Sequence, residues 1–207
     1  MDLSISQLAD LVEHFKKQGF KGRPRRVPGN VAPSADRERL IRKIRALWVS
    51  LHCLGVLRDG SDTAMTAFAK RVTGGNNTGI ANLAWLKGDA AYKVIEALKK
   101  MAERDAGVSW TAYTMTTQAG PQTVYLPRCR VLDAQWRTIA ELKQAQQPDP
   151  AALAAYVRQV AKADAEKPLF QMRAEDQDRA IANLGEQIRA RLDALGFETV
   201  QDWRKSR

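Results

Sequence analysis

The chain has 207 residues, 44% hydrophobic and 27% charged, with 33 Lys or Arg against 23 Asp or Glu and a net charge of +10. This composition excludes a largely disordered chain and a disulfide-stapled miniature, and no apolar run approaches the ~20 residues a membrane-spanning helix needs. There is room for one sizeable domain or two small ones. The charge is uneven: residues 14–45 hold eleven Lys or Arg against two acids, whereas 46–110 and 111–207 are each only +2. A basic surface attracts polyanions and releases their counterions, so DNA is the expected partner. Cys53 and Cys129 are the only cysteines and neither sits in a CxxC pattern, which fits a reduced cytoplasmic setting. Asp10, Glu13, Lys16 and Lys17 interrupt the first twenty residues, so no signal peptide is expected there.

In chain order, Leu8, Leu11, Val12 and Phe15 have the i, i+3, i+4, i+7 spacing of one helical face, and the spacing predicts an N-terminal helix over 1–20 ending at Gly19. Residues 21–35 carry three prolines, two glycines and four cations before Ser34 and read as an extended basic linker. A helix is expected from about 36 to 53, with Leu40, Ile41, Ile44, Leu47, Trp48 and Leu51 on one face and Arg37, Arg39, Arg42, Lys43 and Arg45 on the other. Gly55 is its expected stop, and Ser61 caps a second helix over about 62–72. A Gly-rich loop follows, then a third helix from about 88 to 104. Val108–Thr117 and Thr123–Val131 read as two strands around a turn at 118–122. Further helices are expected at about 130–146, 149–163 and 173–195, with Pro150 at a first helical position.

The same apolar skeleton occurs twice. Ile44, Ala46, Trp48, Leu51 and Leu54 are answered 88 positions later by Leu132, Ala134, Trp136, Ile139 and Leu142, and Met65, Phe68 and Lys70 by Leu153, Tyr156 and Arg158. Ile95 and Leu98 match Ile181 and Leu184 at a spacing of 86, as a change in loop length produces. The expected fold is therefore mainly α, with two related three-helix subdomains (36–106 and 132–207) joined by a β-hairpin over 107–131. Whether the two pack together or sit apart is left open by the pattern.

Lys43-Ile44-Arg45-Ala46-Leu47-Trp48, Leu54-Gly55-Val56-Leu57-Arg58-Asp59-Gly60-Ser61, Phe68-Ala69-Lys70-Arg71-Val72-Thr73-Gly74, and Leu86 with Lys93-Val94-Ile95-Glu96-Ala97-Leu98-Lys99 resemble the second half of the GemA-like regulatory proteins of Mu-like phages. The resemblance extends over residues about 3–105. It implies a phage-encoded regulator acting on host functions, with no catalytic site to carry over. By the family's pattern two helices would precede residue 3, and residues 108–207 have no counterpart in it.

No catalytic constellation assembles. His14 and His52 are the only histidines, and His52 with Cys53 makes no dyad or zinc site because adjacent helical positions point apart. Glu175, Asp176 and Asp178 answer a helix N-terminus rather than a cation. The loop Gly74-Gly75-Asn76-Asn77-Thr78-Gly79 lacks the Gly-Lys-Ser/Thr ending and the preceding strand of a phosphate loop. Trp48 and Trp136 are expected core anchors. The reading is a non-enzymatic protein without cofactor or metal, soluble in the bacterial host cell.

The expected nucleic-acid contacts are Arg23, Arg25 and Arg26 of the basic arm, Arg37, Arg39, Arg42, Lys43 and Arg45 of the first long helix, and Lys93, Lys99 and Lys100 of the third. Helix, helix, helix, hairpin is also the order of a winged helix-turn-helix, with Lys87 added to the third helix's contacts, but the loop before that helix is too long for a tight turn. The alternative is a module that docks on a host regulatory protein, with Phe170, Met172, Phe197 and Trp203 as exposed anchors.

Overall fold

The computed structural model describes residues 17, 35–74, 83, 86, 88–117, 120–144, 149–162 and 168–207. The expected N-terminal helix apart from Lys17, the basic tract up to Ser34 with Arg23, Arg25 and Arg26, Lys87, and the Gly-rich loop beyond Gly74 lie outside the described residues. The elements below belong to Pro33–Arg207, one of two compact units, the other being Met1–Ala32.

The architecture is mainly helical with one two-stranded antiparallel hairpin. Helix α1 (Ala35–Cys53) opens with Asp36 and Glu38 at its positive end and buries Ile44, Trp48 and Leu51. It stops at Gly55, whose φ of +70° is open to glycine without strain. There the Val56 amide donates to Leu51 O at 3.1 Å and the Gly55 amide to His52 O at 3.1 Å, the paired bonds of a Schellman ending. Helix α2 (Asp62–Val72) is capped by Ser61, whose Oγ accepts from the Ala64 amide. Helix α3 (Gly88–Ala106) buries Ala91, Val94, Ile95, Leu98 and Ala102 against α1.

Strands β1 (Tyr113–Thr117) and β2 (Gly120–Val124) pair from Tyr113↔Val124 to Thr117↔Gly120. Both are shorter than the sequence suggests. Residues 108–112 are not strand, and the period-two reading of 123–131 fails because Pro127 sits at the first position of helix α4 (Pro127–Leu142), where its fixed φ and missing N–H start a helix at no cost. Val131, Leu132, Gln135, Thr138, Ile139 and Leu142 are then buried at helical spacing. Helix α5 (Pro150–Ala161) is capped by Asp149. Helix α6 (Ala174–Leu195) ends at Gly196, φ +79°, and α7 (Val200–Lys205) closes the described chain.

The helices of both halves share one core. Helix α6 packs on α4, α5 and α1. Gln135, fully buried, donates through Nε2 to Cys53 O at 3.0 Å and to Ile181 O at 2.8 Å, tying α4 to the end of α1 and the middle of α6. Helix α7 clamps the join: the Val200 amide donates to Gly55 O, Trp203 is buried, and Arg204 bonds Asp105 O and Glu141. Of the side chains expected as exposed anchors, Met172 and Trp203 are core residues and Phe197 packs partly buried against the core; Phe170 is exposed.

Two tilted aromatic pairs stand against this core. Trp48 meets Phe68 at 5.5 Å between ring centroids, tilted 48°, and Trp136 meets Tyr156 at 5.4 Å, tilted 38°. Ile44 and Leu132 are both fully buried, as are Leu98 and Leu184 at the spacing of 86.

His52 lies at the α1–α6 contact, with Arg189 Nη1 3.0 Å from Nδ1 and donating to His52 O at 3.1 Å. Burial first, and the Arg189 charge second, hold its pKa below 6.5, against the opposing pull of Asp59. Well above pH 6.5 the ring is neutral folded or unfolded and contributes no pH dependence. Below it the unfolded chain takes up the proton first, so folding stability falls with pH until the folded-state pKa is reached. His52→Gln is expected to remove this part of the loss between pH 7.5 and pH 5, read as thermal midpoints at the two pH values; equal losses in the two proteins would show that His52 does not titrate this way.

Candidate nucleic-acid interface

Because α1 gives its apolar stripe to the core, its opposite face is left to form a wall. Arg42, Lys43, Arg45, Ala46, Val49 and Ser50 lie on that side and line a groove of about 530 Å³. The other walls come from Lys99 of α3, Trp110 and Tyr125 at the base of the hairpin, Pro127, Arg128 and Val131 of α4, and Asp178, Ile181 and Ala182 of α6. Five cations and one carboxylate surround an apolar floor.

The cations differ in what they already hold. Arg128 and Asp178 form a two-pronged pair at 2.6 and 3.0 Å, which answers both charges and explains Asp178. Arg45 pairs with Asp62 at 2.9 Å and Lys99 with Glu96 at 2.9 Å, the latter raising the Lys99 pKa. Arg42 and Lys43 are exposed and have no partner among the described residues, and Arg39, one turn earlier on the same face, has none either. Arg37 is partly buried and has a partner. Lys93 and Lys100 stand outside the groove on the exposed face of α3, interleaved with Asp89, Glu96 and Glu103. That mixed face suits solvent better than the major groove of DNA, where successive acids would face phosphates.

Of the expected contacts, Arg42, Lys43, Arg45 and Lys99 therefore converge on one groove, with Arg39 in line with it. The sequence reading missed Trp110, Tyr125 and Arg128, because the stretch holding them reads as strand. A usable signal lay in the internal match. Val131, Ala134, Gln135 and Thr138 are buried on α4, whereas the positions 88 earlier are Lys43, Ala46, Leu47 and Ser50, all lining the groove. A lysine in place of a buried valine marks the α1 face as uncovered.

A larger cavity of about 780 Å³ lies between β1, α4, α5 and the 3₁₀ turn Leu169–Gln171. Its cations are spent internally. Arg130 stacks on Tyr113 at 3.5 Å and donates to Thr111 O, and Arg137 donates to Gly107 O and Asp133 O. Tyr113 donates to Asp133 at 2.8 Å, and burial with that bond raises the phenol pKa. Burial pushes the Cys129 thiol at its edge up to about 11, so it stays protonated at neutral pH. No group of three or more His, Cys, Asp or Glu placed to hold a metal occurs among the described residues, and none of their helices is long and apolar enough to cross a membrane.

Comparison with known proteins settles the lineage of the α1 wall. Residues 1–104 match the family described as Bacteriophage Mu, GemA protein. The chain belongs to the GemA family. It is similar to the GemA protein of Escherichia phage Mu, 32% identical over 105 residues, and to that of Escherichia phage D108, 30% identical over 105 residues; each match covers 48% of this chain and 54% of the relative. The chain thus spans about half the length of the curated relatives it matches, and no solved structure matches it. The GemA match ends inside α3. The groove consequently joins a GemA wall, carrying Arg42, Lys43, Arg45 and Lys99, to walls from the region beyond the match, carrying Trp110, Tyr125, Arg128 and Asp178.

Proposed function

We propose that this GemA-family chain is a non-enzymatic phage regulatory protein that works in the bacterial host cytoplasm and modulates host functions by binding DNA. The contacts are the exposed face of α1 and the basic arm with Arg23, Arg25 and Arg26. The observation that carries this reading is the run of Arg39, Arg42 and Lys43, unpartnered among the described residues on one helix face beside Arg45 and Lys99. Surface cations without a carboxylate partner break no ion pair when they turn to phosphate, and each phosphate they neutralise releases counterion. The second reading, docking on a host regulatory protein, is favoured by the apolar groove floor, which duplex phosphates leave uncovered.

The test is fluorescence anisotropy with random-sequence duplex DNA. Neutralising about four phosphates predicts a fall in affinity on the order of 10²-fold between about 50 and 200 mM salt. An affinity unchanged over that range, or no binding of either duplex or single-stranded DNA at the lower salt, would overturn the DNA reading. Replacing Arg23, Arg25 and Arg26 by Ala is expected to lower the salt slope by about 0.9 for each phosphate that the arm neutralises in the parent.

A further inference from the structure

We infer that the groove takes unpaired bases, so that this protein's preferred nucleic acid is single-stranded rather than duplex DNA; the inference rests on the DNA reading above. Strands without a base-pairing partner are bound by a cationic track for the phosphates beside exposed aromatic rings for the bases. Both halves of that arrangement are present. Arg42 and Lys43, with Arg39 one turn before them, make the track, and exposed Tyr125 and half-buried Trp110 stand among the opposite walls.

Tyr125 remains 48% exposed and Val49, on the α1 wall, is also 48% exposed. These are two of the five exposed large apolar side chains among the described residues, and both line this groove. Trp110 is held in place, its Nε1 donating to Lys99 O at 3.1 Å, so its ring needs little ordering to receive a base. The volume of about 530 Å³ is that of a site enclosing a small organic group. An unpaired base can enter it. A base inside a duplex is stacked on both faces and cannot, so a duplex meets only the cations and leaves the rings bare.

The charge decides against a neutral apolar ligand, since Arg42 and Lys43 have no answering carboxylate among the described residues. An acidic amphipathic helix would satisfy charge and floor, but it has no particular use for an exposed tyrosine beside a fixed indole, whereas stacked bases do.

The experiment compares fluorescein-labelled oligo-dT of 20 nucleotides with a 20-base-pair duplex at 50 mM salt, on the full chain and on Tyr125→Ala and Tyr125→Phe. The side chain is largely outside the core, and thermal midpoints check that both variants fold. The expected result is at least 10-fold tighter binding of oligo-dT than of duplex. Tyr125→Ala should weaken oligo-dT binding about 5- to 150-fold with duplex affinity unchanged, and Tyr125→Phe should keep it. Equal or tighter duplex binding, or oligo-dT binding indifferent to Tyr125→Ala, overturns the inference while leaving the DNA reading intact. Binding of neither DNA sinks both. In that case Tyr125-dependent binding of a labelled 18-residue helix with Leu on one face and Glu on the other would assign the groove to a protein.

Discussion

Replacing Arg39, Arg42 and Lys43 together by Ala is expected to weaken DNA binding on the order of 10²-fold at about 0.1 M salt, with the slope of log affinity against log salt falling by two to three. The size follows from counterion release, at about 0.9 of slope for each phosphate no longer neutralised on a duplex. None of the three holds a carboxylate among the described residues, so the thermal midpoint should stay within about a degree or two of the parent. Arg45→Ala is the contrasting case. Its guanidinium already pairs with Asp62 across an exposed gap, so part of its charge is spent and its removal should cost less affinity. An unchanged salt slope in the triple variant would place the contacts elsewhere.

Gly185→Val is expected to produce the largest loss of stability, about 3 kcal/mol or more, which lowers the thermal midpoint of a domain this size by roughly 6–12 °C. A Cβ at Gly185 would stand 2.9 Å from Cys53 Cα, 2.9 Å from Cys53 Cβ and 3.0 Å from Cys53 O. These atoms belong to the last turn of α1, which Gly55 and the bond from Val200 hold in place, so the neighbour cannot step aside. Helix α6 would have to move off α1, carrying Asp178, Ile181 and Ala182 away from the groove, and binding should fall with stability. Gly88→Ala is the control. Nothing lies within 4 Å of its Cβ, and replacing a glycine at a helix start should raise stability by up to about 1 kcal/mol. If Gly185→Val kept the parent midpoint, the close approach of α1 and α6 would be wrong.

The described helices of the GemA-matching part, α1 to α3, were legible in the sequence to within a residue or two. The stripe Ile44, Trp48, Leu51, the stop at Gly55 and the cap at Ser61 are local signals, and local physics decides them. The region after α3 was harder to read. Threonines and aromatics alternate through 108–125, and only 113–117 and 120–124 form strands, because a hairpin's extent depends on pairing and not on propensity. Pro127 then turns the chain into a helix four residues before the expected strand would have ended.

The α1 cations of the groove were legible as a class, because basic residues crowd the outer face of that amphipathic helix, whereas Arg128 was not. Their separation into free and spent charges was not, since it depends on Asp62, Glu96 and Asp178, which only the folded chain brings to Arg45, Lys99 and Arg128. The apolar floor was invisible for the same reason. Val49 sits among core residues in the sequence, and Tyr125 and Ile181 reach it from 76 and 132 positions away. The GemA pattern supplied lineage; tertiary packing supplied the site.

The most direct measurement is a ¹H–¹⁵N NMR titration of the full chain with oligo-dT, following backbone amides together with the Trp indole signals. Perturbed signals are expected to cluster on Arg39 to Ser50, Lys99 and Tyr125, with the Trp110 indole shifting while that of buried Trp48 stays in place. Perturbations centred on α5 and the Phe170 cavity, or none at saturating DNA, would contradict this expectation.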